Sequence, residues 1–291
     1  MNRRKETLAG WLFLAPALLI FLILVVFPIL MSLGLSFTKW NFLSGFSGIE
    51  WVGIDNFTRL FAVDRKFELA IVNTIIYAVT TAPISILLAL FLAYQLNGKV
   101  YLKKFNRLCF FIPYISSMVA LTAVFRFLFR SDGPVNALLV KVFNISEVPA
   151  WLTNAQYAKF PIICVMAYAG VGFSLIVYMA ALQNVPKELY EAATIDGANK
   201  FVQFFRITFP MISPTTFYLG VVRLIAAFKV FTAINIMGMS ESAPSLVTEI
   251  YGNGFKSYNF GYASAEAWIL VAIILVITLI QSYGQKKWVH Y

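Results

Sequence analysis

Long apolar stretches alternate with short polar ones along this chain, and the apolar stretches are too long for soluble helices. No charged residue occurs from Leu69 to Gly98, from Leu108 to Phe125, from Phe160 to Pro186 or from Ala267 to Gln285, and from Thr7 to Trp40 the only one is Lys39. A helix needs roughly 20 apolar residues to cross a bilayer, so these five runs predict five spans. A sixth run, Met211 to Met237, contains Arg223 and Lys229. It is read as a span because the flanking loops leave no other way to connect. The predicted spans are 10–35, 69–96, 108–129, 158–182, 211–237 and 263–283, the pattern of an all-α polytopic membrane protein.

Composition agrees. Of 291 residues, 60% are hydrophobic and 12% charged, against about 25% charged in soluble domains. The start, "MNRRKETLAGWLFLAPALLIFLILVVFPIL", is basic and then apolar like a signal peptide. Its apolar part is too long and no small-residue cleavage site follows, so it is read as a retained first span. The division expected is 1–68 for the anchor helix and first outer loop, 69–283 for the main transmembrane domain, and 284–291 for a tail.

Positive charge sets the orientation, because short cytoplasmic loops collect Lys and Arg. One side receives twelve: Arg3, Arg4, Lys5, Lys99, Lys103, Lys104, Arg107, Lys187, Lys200, Arg206, Lys286 and Lys287. The other receives seven in longer loops: Lys39, Arg59, Arg65, Lys66, Arg130, Lys141 and Lys256. Both termini are therefore expected to be cytoplasmic. The net charge of +10 follows from this bias and does not indicate nucleic-acid binding, since no dense basic patch interleaved with aromatics is present. Trp11 and Trp288 fall at inner ends, and Trp40, Trp51, Trp151 and Trp268 at outer ends or in outer loops, as interfacial belts require.

Catalytic chemistry is missing. The one Gly-Lys pair, Gly98-Lys99, is followed by Val and lacks the upstream glycine of a phosphate-binding loop. The single histidine, His290, excludes a His-based metal cluster and most Ser-His-Asp arrangements. Cys109 and Cys164 lie inside predicted spans and are read as small apolar residues. No enzyme activity, metal or cofactor is expected.

The loop at 183–210 is of another kind. In "VPKELYEAATIDGANKFVQFFRITFP", Pro186 suits a first helical position, Glu188 and Glu191 suit the positive end of a helix, and Asp196-Gly197 interrupts the pattern as a helix stop does. "ANKFVQFFRIT" can form a second short helix ending before Pro210, so the loop reads as helix, turn, helix. Leu189, Ala192 and Ala193 share one face by their spacing, with Glu191 at its margin. A helix lying on lipid headgroups would be Lys/Arg-rich with bulky apolar residues opposite. This one is acidic and small, which favours a protein partner.

"EAATIDGANKFVQFFRITFPMISPT" resembles the EAA loop of permeases from binding-protein-dependent ABC importers, in the version typical of carbohydrate importers. "NTIIYAV" (73–79), "FIPYISSMVA" (111–120), "FKVF" (228–231), "GYASAEAW" (261–268) and the tail "KKWVHY" extend the likeness over almost the whole chain. The stretch "GMSESAPS" departs from the family's frequent Gly-Gly-Pro after span five, leaving the outer loop at 238–262 undefined. The resemblance implies the type I importer permease fold in a bacterial or archaeal cytoplasmic membrane. It implies a second homologous permease, a cytoplasmic ATPase dimer that binds the ATP, and an extracytoplasmic binding protein as partners. Glu191, Ala192, Ala193, Asp196 and Gly197 would then form the ATPase-coupling site.

Charges at membrane depth are costly and face a cavity or a partner. Arg223, Lys229 and Glu266 are candidates for the pathway or for an intramembrane ion pair, with Lys229 and Glu266 the expected pair and Arg126 a further intramembrane charge. A self-contained secondary transporter and a membrane scaffold are the alternatives. The first would need inverted repeats or discontinuous helices with midplane ion ligands, and neither pattern is visible.

Overall fold

A computed structural model describes residues 3–98, 101–145 and 147–288. Lys99 and the tail beyond Trp288 lie outside the described residues, as do the side chains of Arg3, Arg4, Lys5, Lys286 and Lys287.

In chain order the elements are α1 (Arg3–Phe21), α2 (Phe27–Leu35), the two-residue strands β1 (Thr38–Lys39) and β2 (Glu50–Trp51), α3 (Asp55–Ala62), α4 (Arg65–Asn97), α5 (Lys103–Ile115), α6 (Met118–Leu128), α7 (Pro134–Phe143), α8 (Lys159–Gln183), α9 (Lys187–Ile195), α10 (Lys200–Gln203), α11 (Phe209–Met211), α12 (Ser213–Phe228), α13 (Thr232–Met237), α14 (Leu246–Tyr251) and α15 (Phe260–Trp288). Four helical stretches are long and apolar enough to span a membrane: Gly10–Leu35, Arg65–Asn97, Lys159–Gln183 and Phe260–Gln285. Two bent pairs qualify together, α5 with α6 at 98° and Lys200–Met211 with α12 at 66°. Counting each pair as one span makes six.

The bends break spans three and five, each of which the sequence marks only as one continuous apolar range. Ser116 and Ser117 are both extended, with ψ of 150° and 127°, and they separate α5 from α6. The sequence carries no charge there, so hydropathy alone cannot register the break. Span five also stops early. Lys229 caps α12, and α13 is a separate short helix ending at Gly238, whose φ is +74°.

The chain divides into two compact units. One comprises Met1–Asp64 with Glu249–Ile269, the other Arg65–Thr248 with Leu270–Tyr291. The segment before the last span and the first residues of that span thus belong with the N-terminal unit, which no feature of the sequence announces.

In the first unit, α1 continues into α2 through a π-helical turn at Leu22–Val26. This first span is exposed along its length, as suits a helix facing lipid or another subunit. Behind it, β1 pairs antiparallel with β2. Trp40 is only 4% exposed, its ring set against Phe42, Phe46 and Phe260 and its Nε1 donating to the Gly45 carbonyl at 2.9 Å. It is therefore the centre of an aromatic cluster. Trp268 does donate to a hydroxyl, Ser32 Oγ, at 3.2 Å.

In the second unit, α4 and α8 form the central pair. Small residues on α4, including Ser85, Ala89 and Ala93, are buried against Gly170, Val171 and Leu175 of α8. A Cβ on Gly170 would come within 2.9 Å of the Ser85 Cβ. In lipid, apolar burial does not by itself drive helices together, so close backbone approach and interhelical hydrogen bonds must. The "NTIIYAV" stretch supplies three such bonds. Asn73 donates to the Pro244 carbonyl at 3.0 Å, the Tyr77 hydroxyl to the Ala243 carbonyl at 3.0 Å, and the Leu246 N–H to the Thr74 hydroxyl at 2.9 Å. Ser245 adds a bond to the Val230 carbonyl at 2.6 Å. "GMSESAPS" is consequently a tethered turn, with Met239, Ala243, Pro244 and Ser245 buried and Gly238 and Glu241 exposed.

Candidate functional site

The loop after α8 folds as helix, turn, helix. Pro186 is the N-cap of α9, one position earlier than expected, with Glu188 in the first turn. Gly197 has φ +78°, a conformation that costs a residue with a Cβ. Its N–H bonds to the Thr194 carbonyl at 3.1 Å, and the Ala198 N–H to the Ala193 carbonyl at 2.8 Å. This pair of bonds is the Schellman arrangement, which satisfies carbonyls left open at a helix end. Asn199 then starts α10, its side chain accepting from the Val202 N–H at 2.9 Å.

The second helix does not end before Pro210. It widens into a π-helical turn over Phe204–Thr208, and Pro210 sits at the start of α11. A proline donates no N–H to the preceding turn, and the widened turn accommodates that loss.

Side chains the sequence analysis did not single out hold the two helices together. Gln203 donates to the Thr194 hydroxyl at 3.0 Å and to the Ala198 carbonyl at 3.1 Å. The hydroxyl of Tyr190 lies 2.8 Å from that of the buried Thr208. Tyr190, Phe204 and Ile207 also pack on the core formed by α4, α8 and α12. Helical periodicity places Tyr190 on the face opposite Glu188, but nothing in the sequence pairs it with Thr208.

The outward side has a different composition. Leu189, Glu191 and Ala192 are exposed, with Ala193 half-buried and Asp196 exposed at the turn. Glu191 makes no hydrogen bond or ion pair among the described residues. Ile195 is 87% exposed and Phe201 71%, and the Phe201 and Phe205 rings lie 4.7 Å apart. An acidic, apolar surface on a firmly built loop is a partner-type surface.

The intramembrane charges divide between the units, Arg126, Arg223 and Lys229 in the second and Glu266 in the first. Arg223 on α12 is half-buried, donates from Nε to Ser174 Oγ at 3.0 Å and lies over the Phe173 ring at 5.1 Å. Ser174 in turn donates to the Gly170 carbonyl at 3.1 Å. Arg126 donates to the Ile236 carbonyl at 3.1 Å. Glu266 is fully buried in the first unit and accepts from Asn253 Nδ2 at 2.9 Å. Its other oxygen has no hydrogen-bond partner among the described residues. Within its own unit Glu266 is partnered by the Asn253 amide; Lys229, the residue expected to pair with it, belongs to the other unit. Lys229 is exposed at the end of α12. Beside Glu266 in the same unit, Tyr262 donates to Asp64 at 2.6 Å and lies under the Arg59 guanidinium.

An all-helical membrane protein with broken spans and a two-helix loop built for a partner is a transport subunit by architecture. The chain belongs to the family described as binding-protein-dependent transport system inner membrane component, which it matches over residues 85–290. It is 35% identical to the probable ABC transporter permease protein YesP of Bacillus subtilis (strain 168), over 99% of this chain and 94% of that one. It is 33% identical to the lactose transport system permease protein LacF of Rhizobium radiobacter, over 98% and 96%. Among solved structures it resembles a chain of a bacterial alginate ABC transporter in complex with an alginate pentasaccharide-bound periplasmic protein. There the TM-score is 0.80 at 28% identity, over 97% of this chain and 96% of that one.

Proposed function

We propose that this chain is one permease subunit of an ABC sugar importer, forming half of the translocation pathway. It would pair with a second, homologous permease and take sugar from an extracytoplasmic binding protein. An ATPase dimer would drive it through the 183–210 loop, with both termini on the ATPase side. The observation that carries this reading is the loop itself, clasped internally by Gln203 and Gly197 while Glu191, Ala192, Ile195 and Phe201 remain presented outward. The names of the relatives support a saccharide as cargo. The sequence carries no phosphate-binding-loop pattern, and on this proposal the energy enters through a docked partner.

The test is reconstitution of the chain with its partner permease, ATPase and binding protein in proteoliposomes. Sugar uptake should require internal ATP and the binding protein. Uptake driven by an ion gradient through this chain alone would replace the proposal with a secondary transporter.

A further inference from the structure

A groove of about 400 Å³ runs between α5 and α8, with Leu108, Phe111, Ile176 and Ala180 among its walls and Lys104 and Arg107 at one end. That volume lies within the range of roughly 300–1,000 Å³ typical of small-molecule sites. Its basic end adjoins Gln183, the last residue of α8 and four before the start of α9. No acidic residue lines it.

Two features favour an anion at this end. Arg107 makes no hydrogen bond or ion pair among the described residues, and its Nε is buried without a partner. A buried donor left unpaired is costly. The second is electrostatic. Lys103, Lys104 and Arg107 all lie in the first turns of α5, whose N-cap Leu102 offers no side-chain bond to the open N–H groups. Cations at the positive end of a helix dipole are unfavourable, and an anion there is favoured by both the dipole and the open donors. Lys103 is engaged elsewhere, donating to the carbonyls of Asn97 and Gly98 at 3.0 and 3.3 Å. Lys104 and Arg107 remain for the ligand.

We propose that this groove binds an acidic phospholipid, its phosphate on Lys104 and Arg107 and an acyl chain along Leu108, Phe111, Ile176 and Ala180. The groove begins where the spans end, so the phosphate meets the cations at headgroup level while the walls continue into hydrocarbon. A basic pocket between spanning helices is the arrangement that selects anionic headgroups. A protein segment on the same surface would need a carboxylate for the two cations, whereas the bilayer supplies phosphate at that depth. The bound lipid would brace the end of α8 from which the 183–210 loop departs.

The experiment is native mass spectrometry of the complete purified importer, exchanged into dioleoyl phosphatidylglycerol or dioleoyl phosphatidylcholine. Wild type should retain phosphatidylglycerol preferentially, and Lys104→Gln and Arg107→Gln should each lower that retention about fivefold. Ala180→Trp fills the groove without altering charge and should also abolish the preference. A photoreactive residue at the exposed Ile176 should cross-link to lipid. Equal retention of the two lipids by wild type, unchanged retention in all three variants, or cross-linking of Ile176 to the second permease would each overturn the proposal. None of these readouts depends on transport, so a failed lipid site and a failed importer assignment are distinguishable.

Discussion

Gln203 clasps the turn between α9 and α10, its amide 3.0 Å from the Thr194 hydroxyl and 3.1 Å from the Ala198 carbonyl. The Thr194 hydroxyl is itself spent on the Tyr190 carbonyl, at 2.7 Å, so only its lone pairs face Gln203. A carboxylate at 203 would therefore meet two acceptors. Gln203→Ala should loosen the turn by about 1 kcal/mol, and Gln203→Glu should be worse. Sugar-stimulated ATPase activity of the reconstituted importer should fall in the order wild type, Ala, Glu. Equal activity of the two variants would remove the clasp from the mechanism.

Glu191 and Gly197 test surface against scaffold. Glu191→Ala removes an exposed charge, so the subunit should insert and assemble with its partner permease while recruiting less ATPase. Gly197→Val forces a β-branched residue to φ +78° and should be harsher, costing of order 1–3 kcal/mol in strain. Co-purification of the ATPase with each variant measures both. Wild-type yield and normal transport in both would show that the loop is not where coupling occurs.

The Asn253–Glu266 contact predicts coupling between those two residues. Asn253→Ala strips a buried carboxylate of its one observed donor, whereas Glu266→Gln keeps an acceptor oxygen for it. Thermal midpoints of the purified complex should drop more for Asn253→Ala, and the Asn253→Ala/Glu266→Gln pair should be non-additive. Lys229→Met should add independently to Glu266→Gln. Strong non-additivity with Lys229 would instead support the ion pair expected from sequence.

Tyr77 holds the Ala243 carbonyl inside a tethered turn. Tyr77→Phe leaves that carbonyl unpaired, a loss of about 1–3 kcal/mol. At about 2–4 °C per kcal/mol for a unit of this size, the detergent-solubilised complex should show a lowered midpoint. An unchanged midpoint would mean that the turn is held by Asn73, Thr74 and Ser245 alone.

Orientation has a direct check. A cysteine at Asn199 should be protected from an impermeant thiol reagent in intact cells, and one at Ser257 should label. Labelling at Asn199 from outside would reverse the assignment of sides and remove the ATPase from the 183–210 loop.

Spans and loop were legible for different reasons. Charge-free runs mark hydrocarbon whatever the tertiary structure, and a helix stop at Asp196-Gly197 is local chemistry. Gly197 does take the left-handed conformation that the pattern implied. The bends at Ser116-Ser117 and before α12 were not legible, because serine and proline within an apolar run satisfy a straight helix and a broken one alike. The partner of Glu266 was also hidden. Asn253 stands 13 residues away across a π-helical turn, and sequence spacing has no rule for that geometry. The Gln203 clasp depends on where the Schellman turn points the second helix, which is known only once the turn is built.

The corner between α5 and α6 constrains what can surround it. With Ser116 and Ser117 extended, the first N–H groups of α6 have neither a preceding turn nor a side-chain cap to bond them. Hydrocarbon cannot solvate such groups, and irregular backbone at membrane depth survives only against protein or water. At membrane depth this 98° corner would have to face water or protein, and lipid tails would be excluded from it.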